Sequence, residues 1–341
     1  MNRGVRVTQT STETKEAPAA PPRLLDNRQL RIAAGLVVVV GAAVALMYLF
    51  GGQPSGLLTQ SLITGVLLGG VYALVSLGLT LIFGVLGIVN FAQGAMLTMS
   101  MYIVFFLATE WGLNLYLAAA LTVPVMFGFG WLVQSTVLNR VMGDSTHERP
   151  LLVTLGLSLL IINVLLMVFG GRPVSVASPV EGSINVIGAL VDVPRLIAFG
   201  GALAVAVALT LILRKTTLGL AIRAVAANDV GASLVGVNVK RIYAMTFGVG
   251  ATCVAVAGGL MVSFTSLVPS AGEQFTTLAF VIVVLGGLGS IPGALVGGLF
   301  IGLVQTVGSL YLPGSGSLLL VFGIFLLVLF LRPQGLFGAK S

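Results

Sequence analysis

The chain has 341 residues, of which 57% are hydrophobic and only 8% charged, and its mean hydropathy is +1.11. Soluble domains carry about a quarter charged residues, so a soluble globule is excluded and a polytopic membrane protein is indicated. The net charge of +7 does not argue for nucleic-acid binding, because the basic residues fall in short loops where membrane topology accounts for them.

Residues 1–31 are polar and rich in Pro, Ala, Thr and Arg, and read as a disordered tail. The apolar run 32–50 has a long polar prelude and no small-x-small cleavage site before Gly51, which marks an uncleaved first span rather than a signal peptide. Residues 57–107 contain no charge at all. A span takes about 20 residues, so this stretch predicts two spans with a tight turn near Gly84 to Asn90. Further spans are expected at 115–137, 151–170, 195–213, 242–264, 276–288, 293–311 and 318–331, ten in all. The fold class is therefore an all-α polytopic membrane bundle.

Charge asymmetry orients it. With a cytoplasmic N-terminus and every span crossing, the inside segments hold fifteen of the seventeen Lys and Arg, leaving only Arg172 and Arg195 outside. That is the split the positive-inside rule asks for, and it makes the C-terminal tail 333–341 cytoplasmic as well. The 276–288 segment is anomalous: as helix it rises only about 20 Å, short of a hydrocarbon core of about 30 Å. Either the chain is broken at GGLGSIPGALVGG, where protein or a watery cavity must cover it, or a tilted helix sits in a thin region.

Between the spans, residues 214–241 form a polar interruption, RKTTLGLAIRAVAANDVGASLVGVNVKR, with five of the basic residues. Residues 218–227 predict a helix with Leu218, Ile222 and Val225 on one face and Arg223 on the other. Asp229 is a candidate N-cap, and Gly236 a candidate C-terminal stop, for a second short helix carrying Val230, Ala232, Ser233, Leu234 and Val235. A capped helix held between two spans presents a rigid knob with an apolar tip to a soluble partner; a plain solvated connection is the simpler alternative.

Catalytic and metal chemistry lack their residues. His147 is the only histidine and lies among Asp144, Glu148 and Arg149, so neither a metal site nor a Ser-His pair can form inside the bundle. No Gly-x-x-x-x-Gly-Lys-Ser/Thr phosphate loop occurs, so the chain has no motor of its own and no cofactor is expected in it. None of the ten acidic residues falls within a span, which disfavours coupling to an ion gradient. The single cysteine, Cys253, allows no intrachain disulfide and reads as a buried packing residue.

The spans hold glycine and neutral polar groups instead. Small-xxx-small patterns at Gly65/Gly69, Gly293/Gly297 and Gly298/Gly302 argue for closely packed helices. Gln60, Thr64, Tyr72, Ser76 and Thr80 recur at multiples of four and form one stripe on a helix, continued by Asn90 and Gln93, while Thr154, Ser158 and Asn163 offer a second row. Such rows serve either as hydrogen-bond glue between helices or as a pathway. Asn90 and Gln93, beside Gly87 and Gly94, are the stronger pathway candidates, because buried amides need partners.

Four of these stretches together resemble a known family. GVYALVSLGLTLIFGVLGIVNFAQGAMLTMSMY at 70–102 is similar to the signature of permease subunits of branched-chain amino acid ABC importers of the LivH type. RAVAANDVGASLVGVNVKRIYAMTFGVGATCVAVAGGL at 223–260, VLGGLGSIPGALVGGLFIG at 284–302 and the closing LRPQGLFG at 331–338 resemble the same family. The likeness runs from about residue 57 to the end and leaves out the tail and first span. It implies a permease domain over 57–332, in a bacterial or archaeal cytoplasmic membrane, with a second identical or homologous permease subunit. It also implies two cytoplasmic ATPase subunits that bind the ATP and an extracytoplasmic solute-binding protein. By the same resemblance Arg223, Ala226, Asp229, Ala232, Gly236 and Asn238 fall in the segment that docks on the ATPase, and Asn90, Phe91 and Gly94 in the turn beside the path. The family commonly has His where Gln93 stands and often an acidic residue where Ala227 stands. The expected cargo is Leu, Ile, Val or a related small neutral solute. A urea or short-amide importer is the nearest rival, and a stand-alone carrier or channel and a structural membrane subunit are more distant ones.

Overall fold

Backbone amides in lipid must be satisfied within the segment, and over long uncharged runs that leaves the α-helix as the local solution. A computed structural model describes residues 55–142, 148–180, 182–186, 189–312 and 314–337; the tail 1–31 and the expected span 32–50 lie outside the described residues. The first helices are α1 (Ser55–Leu86), α2 (Gln93–Thr109), α3 (Leu115–Val141) and α4 (Glu148–Phe169). A short hairpin of β1 (Ser183–Val186) and β2 (Ala189–Asp192) leads into α5 (Val193–Lys215). Two short helices follow, α6 (Thr217–Ala227) and α7 (Asp229–Leu234). The chain closes with α8 (Val239–Met261), α9 (Ala271–Gly286), α10 (Ile291–Tyr311) and α11 (Gly316–Leu331).

Six of these, α1, α3, α4, α5, α8 and α10, are long and apolar enough to cross a membrane; α2, α9 and α11 are apolar but have 17, 16 and 16 residues. The centre is built from α1 and α8, each 78% buried over its most apolar stretch, against 22–28% for α3, α4 and α5. The outer helices turn large apolar side chains such as Leu160, Met167, Leu203 and Phe330 outward, as contact with lipid or with another subunit requires.

Glycine explains how the central helices come together. A Cβ at Gly65 would lie 2.9 Å from Leu303 Cα, and one at Gly69 2.8 Å from Leu299 Cα, so the Gly65/Gly69 ridge of α1 lies directly against α10 at Gly298 and Gly302. Gly293 and Gly297 face the other way, towards Gly286 and Ile282 of α9. Gly78 of α1 and Gly250 of α8 oppose one another, and Gly258 of α8 lies against Leu97 and Ser100 of α2.

Several sequence expectations shift. The turn between the first two described spans comes later than Gly84 to Asn90: α1 runs to Leu86, Gly87 leaves it at φ 69°, and the loop extends to Ala92. The anomalous segment begins at Ala271 rather than 276, with Glu273 inside its first turn, and its rise of about 24 Å is still short. It is interrupted where expected: Gly287 and Gly289 have φ of 99° and 78°, and Ser290 starts α10 by accepting a hydrogen bond from the Gly293 amide at 3.2 Å. The β1–β2 hairpin, paired from Ser183 with Asp192 to Val186 with Ala189, makes the chain mostly helical rather than all-α. Residues 332–337 of the closing segment fold back on α9, where the amides of Leu336 and Phe337 donate to the carbonyls of Leu285 and Gly286 at 2.8 and 3.1 Å.

Candidate transport pathway and coupling surface

The loop between α1 and α2 is locked by amides. Asn90 Oδ1 accepts from the Ala92 amide at 3.1 Å, which closes a tight turn, and Asn90 Nδ2 donates to Gln93 Oε1 at 3.1 Å. Gln93 Nε2 in turn donates to the carbonyl of Val75 on α1 at 3.1 Å. Both side chains are fully buried and every contact is internal, so they pin the start of α2 to the middle of α1. Phe91 is half-buried, and its amide donates to Thr154 Oγ1 of α4 at 3.2 Å. The Gly94 amide donates to Thr276 Oγ1 of α9 at 2.9 Å, and a Cβ at Gly94 would overlap the carbonyl oxygen of Gly272. The loop therefore gathers α1, α2, α4 and α9 at one point. Thr276 carried no sequence signal, because its partner lies 182 residues away.

The stripe on α1 divides. Gln60 is exposed and donates to the Leu190 carbonyl at 3.4 Å, and Thr64 is half-buried. Tyr72 is buried with its ring 6.1 Å from that of Phe275. Ser76 and Thr80 are buried one helical turn apart, and neither hydroxyl has a hydrogen-bond partner among the described residues. Among the second row, Thr154 is buried against the loop, Ser158 is half-buried one turn further along α4, and Asn163 is exposed and bonded to the Leu159 carbonyl.

The central polar segment folds as two capped helices. Thr216 caps α6, accepting from the Gly219 amide at 3.1 Å, and Ile222 and Val225 are buried while Arg223 and Ala226 are exposed. The cap of α7 is Asn228, not Asp229: Asn228 Oδ1 accepts from the Gly231 amide at 2.8 Å. Asp229 sits one residue inside, where Oδ1 accepts from the Val230 amide at 2.8 Å and Oδ2 from the Tyr243 hydroxyl at 3.4 Å. Asn228 and Asp229 have the same capping chemistry, and the tie to Tyr243 on α8 engages the second. Gly236 ends the helix at φ 87°, its amide bonded to the Ser233 carbonyl and that of Val237 to the Ala232 carbonyl, each at 3.0 Å. Those paired bonds form a Schellman stop. Asn238 then caps α8 through the Arg241 amide at 3.1 Å. Ala232 is buried beneath α7, and Val230, Leu234 and Val235 stand 65%, 82% and 79% exposed.

A cavity of about 500 Å³ lies between the end of the α1 stripe at Thr80 and the coupling segment. Thr80 and Gly84 of α1, Arg214 of α5, Arg223 and Ala226 of α6 and Ser290 at the start of α10 are among its walls. Thr80, expected in the pathway, and Arg223 and Ala226, expected in the coupling segment, are brought to one space by α5 and α10, which no local signal in the chain announces.

Residues 61–330 match the family described as "Branched-chain amino acid transport system / permease component". The chain is 32% identical over 297 residues to the high-affinity branched-chain amino acid transport system permease protein LivH of Escherichia coli, covering 82% of this chain and 95% of that protein. It is 30% identical over 293 residues to the permease protein BraD of Pseudomonas aeruginosa, with the same coverage. It is also 28% identical over 285 residues to a LivH permease of Methanocaldococcus jannaschii, covering 78% and 88%.

Proposed function

The chain belongs to the family of branched-chain amino acid transport system permease components, and from that premise we propose that it carries branched-chain amino acids across the cytoplasmic membrane as the permease subunit of an ATP-binding cassette importer. It is a multi-pass membrane protein and a transport subunit, not an enzyme. Its energy comes from separate ATPase subunits, two per transporter, and a solute-binding protein delivers the cargo to a pair of permeases.

The observation that carries this reading is the knob at 228–236. Caps at both ends make it rigid, Ala232 and the Asp229–Tyr243 contact seat it on the bundle, and three large apolar side chains project from it. Apolar groups held this far into water call for a partner with a matching groove. Arg223, Ala226, Asp229, Ala232, Gly236 and Asn238 belong to this coupling segment as contact or support. Asn90, Phe91, Gly94, Tyr72, Ser76, Thr80, Thr154 and Ser158 line or brace the path, and Gln93 braces it through Val75. The membrane domain spans 57–332, with both termini cytoplasmic and ten crossings including 32–50. Gln93, which stands where the family commonly has His, has its amide held by Asn90 and Val75 and so offers no contact of its own to a urea or amide cargo.

Uptake of labelled leucine and labelled urea by cells carrying the complete transporter tests the proposal. Leucine uptake is expected, urea uptake is not, and Leu234→Asp should reduce leucine uptake by roughly 30-fold or more, the scale of a lost interface anchor. Because Leu234 is 82% exposed, the variant should reach the membrane in normal amount. Urea uptake without leucine uptake would overturn the cargo, and normal leucine uptake by the variant would overturn the knob's role.

A further inference from the structure

We propose that the cavity between α1, α5, α6 and α10 is a holding station for the solute at the cytoplasmic end of the path, with its carboxylate on Arg214 and Arg223 and its alkyl side chain against Leu81 and Ile222. The inference rests on the importer reading of the preceding section and assigns to it a place and a set of contacts.

Three observations converge on it. The volume of about 500 Å³ lies within the range of small-molecule sites. The walls are mostly apolar, and the charge they carry is of one sign: among the described residues neither guanidinium makes an ion pair, and no acidic residue lines the space. Thr80 is among the walls, and its hydroxyl, buried within the wall, has no hydrogen-bond partner among the described residues. A buried hydroxyl left unmatched is costly, and a ligand that draws it round to the cavity removes that cost.

An α-amino acid with a branched side chain answers each feature. Its carboxylate matches the planar fork of an arginine, its ammonium can donate to Thr80 Oγ1, and its alkyl group suits the aliphatic wall. A lipid acyl chain suits the wall but gives Thr80 nothing. Thr80 also lies one helical turn beyond Ser76, whose hydroxyl is likewise buried and unpartnered among the described residues, so the row of Tyr72, Ser76 and Thr80 runs towards the cavity.

A diazirine analogue of leucine tests this in membranes carrying the full chain with its transporter partners. Irradiation should label peptides from 80–85, 210–226 or 289–296, and leucine should compete at least tenfold better than leucinamide, which lacks the carboxylate. Arg214→Gln and Thr80→Val should each weaken labelling by about tenfold, the scale of one charge-assisted or buried hydrogen bond, and Arg214→Lys should restore much of it. Leucine uptake is measured in the same membranes. Labelling confined to other segments, or indifferent to Arg214→Gln, while the wild-type chain still takes up leucine, would overturn the station alone. Absence of leucine uptake by the wild-type chain would overturn the importer reading beneath it.

Discussion

Asn90 and Gln93 show what a single residue type can and cannot declare about its place. That two amides within an uncharged stretch must find partners follows from the cost of burying them dry, and it is legible before any fold is known. That each finds the other, with the chain then closing onto the Val75 carbonyl, depends on how far α1 runs before it turns, and a sequence blurs helix ends by a few residues. Gly94 is a sharper case. Its glycine character reads locally as a flexible spot, whereas its role is to let α2 touch α9 at Gly272 and to free its amide for Thr276. A Gly94→Ala substitution should therefore separate the two helices and lower the thermal unfolding midpoint of the purified protein in detergent by several degrees. Gly87→Ala, which meets open space and carries only the strain of φ 69°, should cost about 1 kcal/mol and a smaller shift. Equal midpoints for the two variants would contradict the close contact at Gly94.

Among the elements, the pair α6 and α7 was the most legible, since caps, apolar spacing and a glycine stop are local signals that need no distant partner. The closing LRPQGLFG was the least, because its meaning lies on α9. A helix that ends inside or at the edge of a bilayer leaves its last carbonyls without water, and a second strand of chain has to supply donors. Leu336 and Phe337 supply them to Leu285 and Gly286, and Gly335, at φ 77°, allows the approach: a Cβ there would lie 2.6 Å from Gly287 Cα. Helix α9 stops at Gly286, and the tail closes its end. Gly335→Val should displace the tail, leave two carbonyls unmatched at about 1–3 kcal/mol each, and shorten the lifetime of the folded protein in detergent. Limited proteolysis reads the outcome, with cleavage near 286–290 appearing in the variant and absent from the parent. An unchanged digestion pattern would mean that α9 ends securely without its cap.

At the scale of the molecule, everything proposed about energy supply depends on which side of the bilayer the α6–α7 knob occupies. The argument for the cytoplasm is electrostatic: fifteen of seventeen basic residues fall on one side when the ten spans are threaded from a cytoplasmic N-terminus. The packing is compatible with that threading, since α1 and α8 are central and the outer helices present apolar faces, but a helix bundle has the same packing whichever way it is inserted. Orientation is thus a question for chemistry on the intact membrane. The chain offers a convenient route, because Cys253 is the single cysteine and is buried against α1, so Cys253→Ala should leave a silent background. In that background a membrane-impermeant maleimide should label Trp111→Cys, 67% exposed in the parent, on intact cells. Lys215→Cys beside the knob and Ser11→Cys in the N-terminal tail should label only after the membrane is opened. If Ser11→Cys alone reacts from outside, residues 32–50 do not cross and the knob keeps its side. If Lys215→Cys reacts from outside, the knob faces away from any ATPase, and coupling through it is physically impossible.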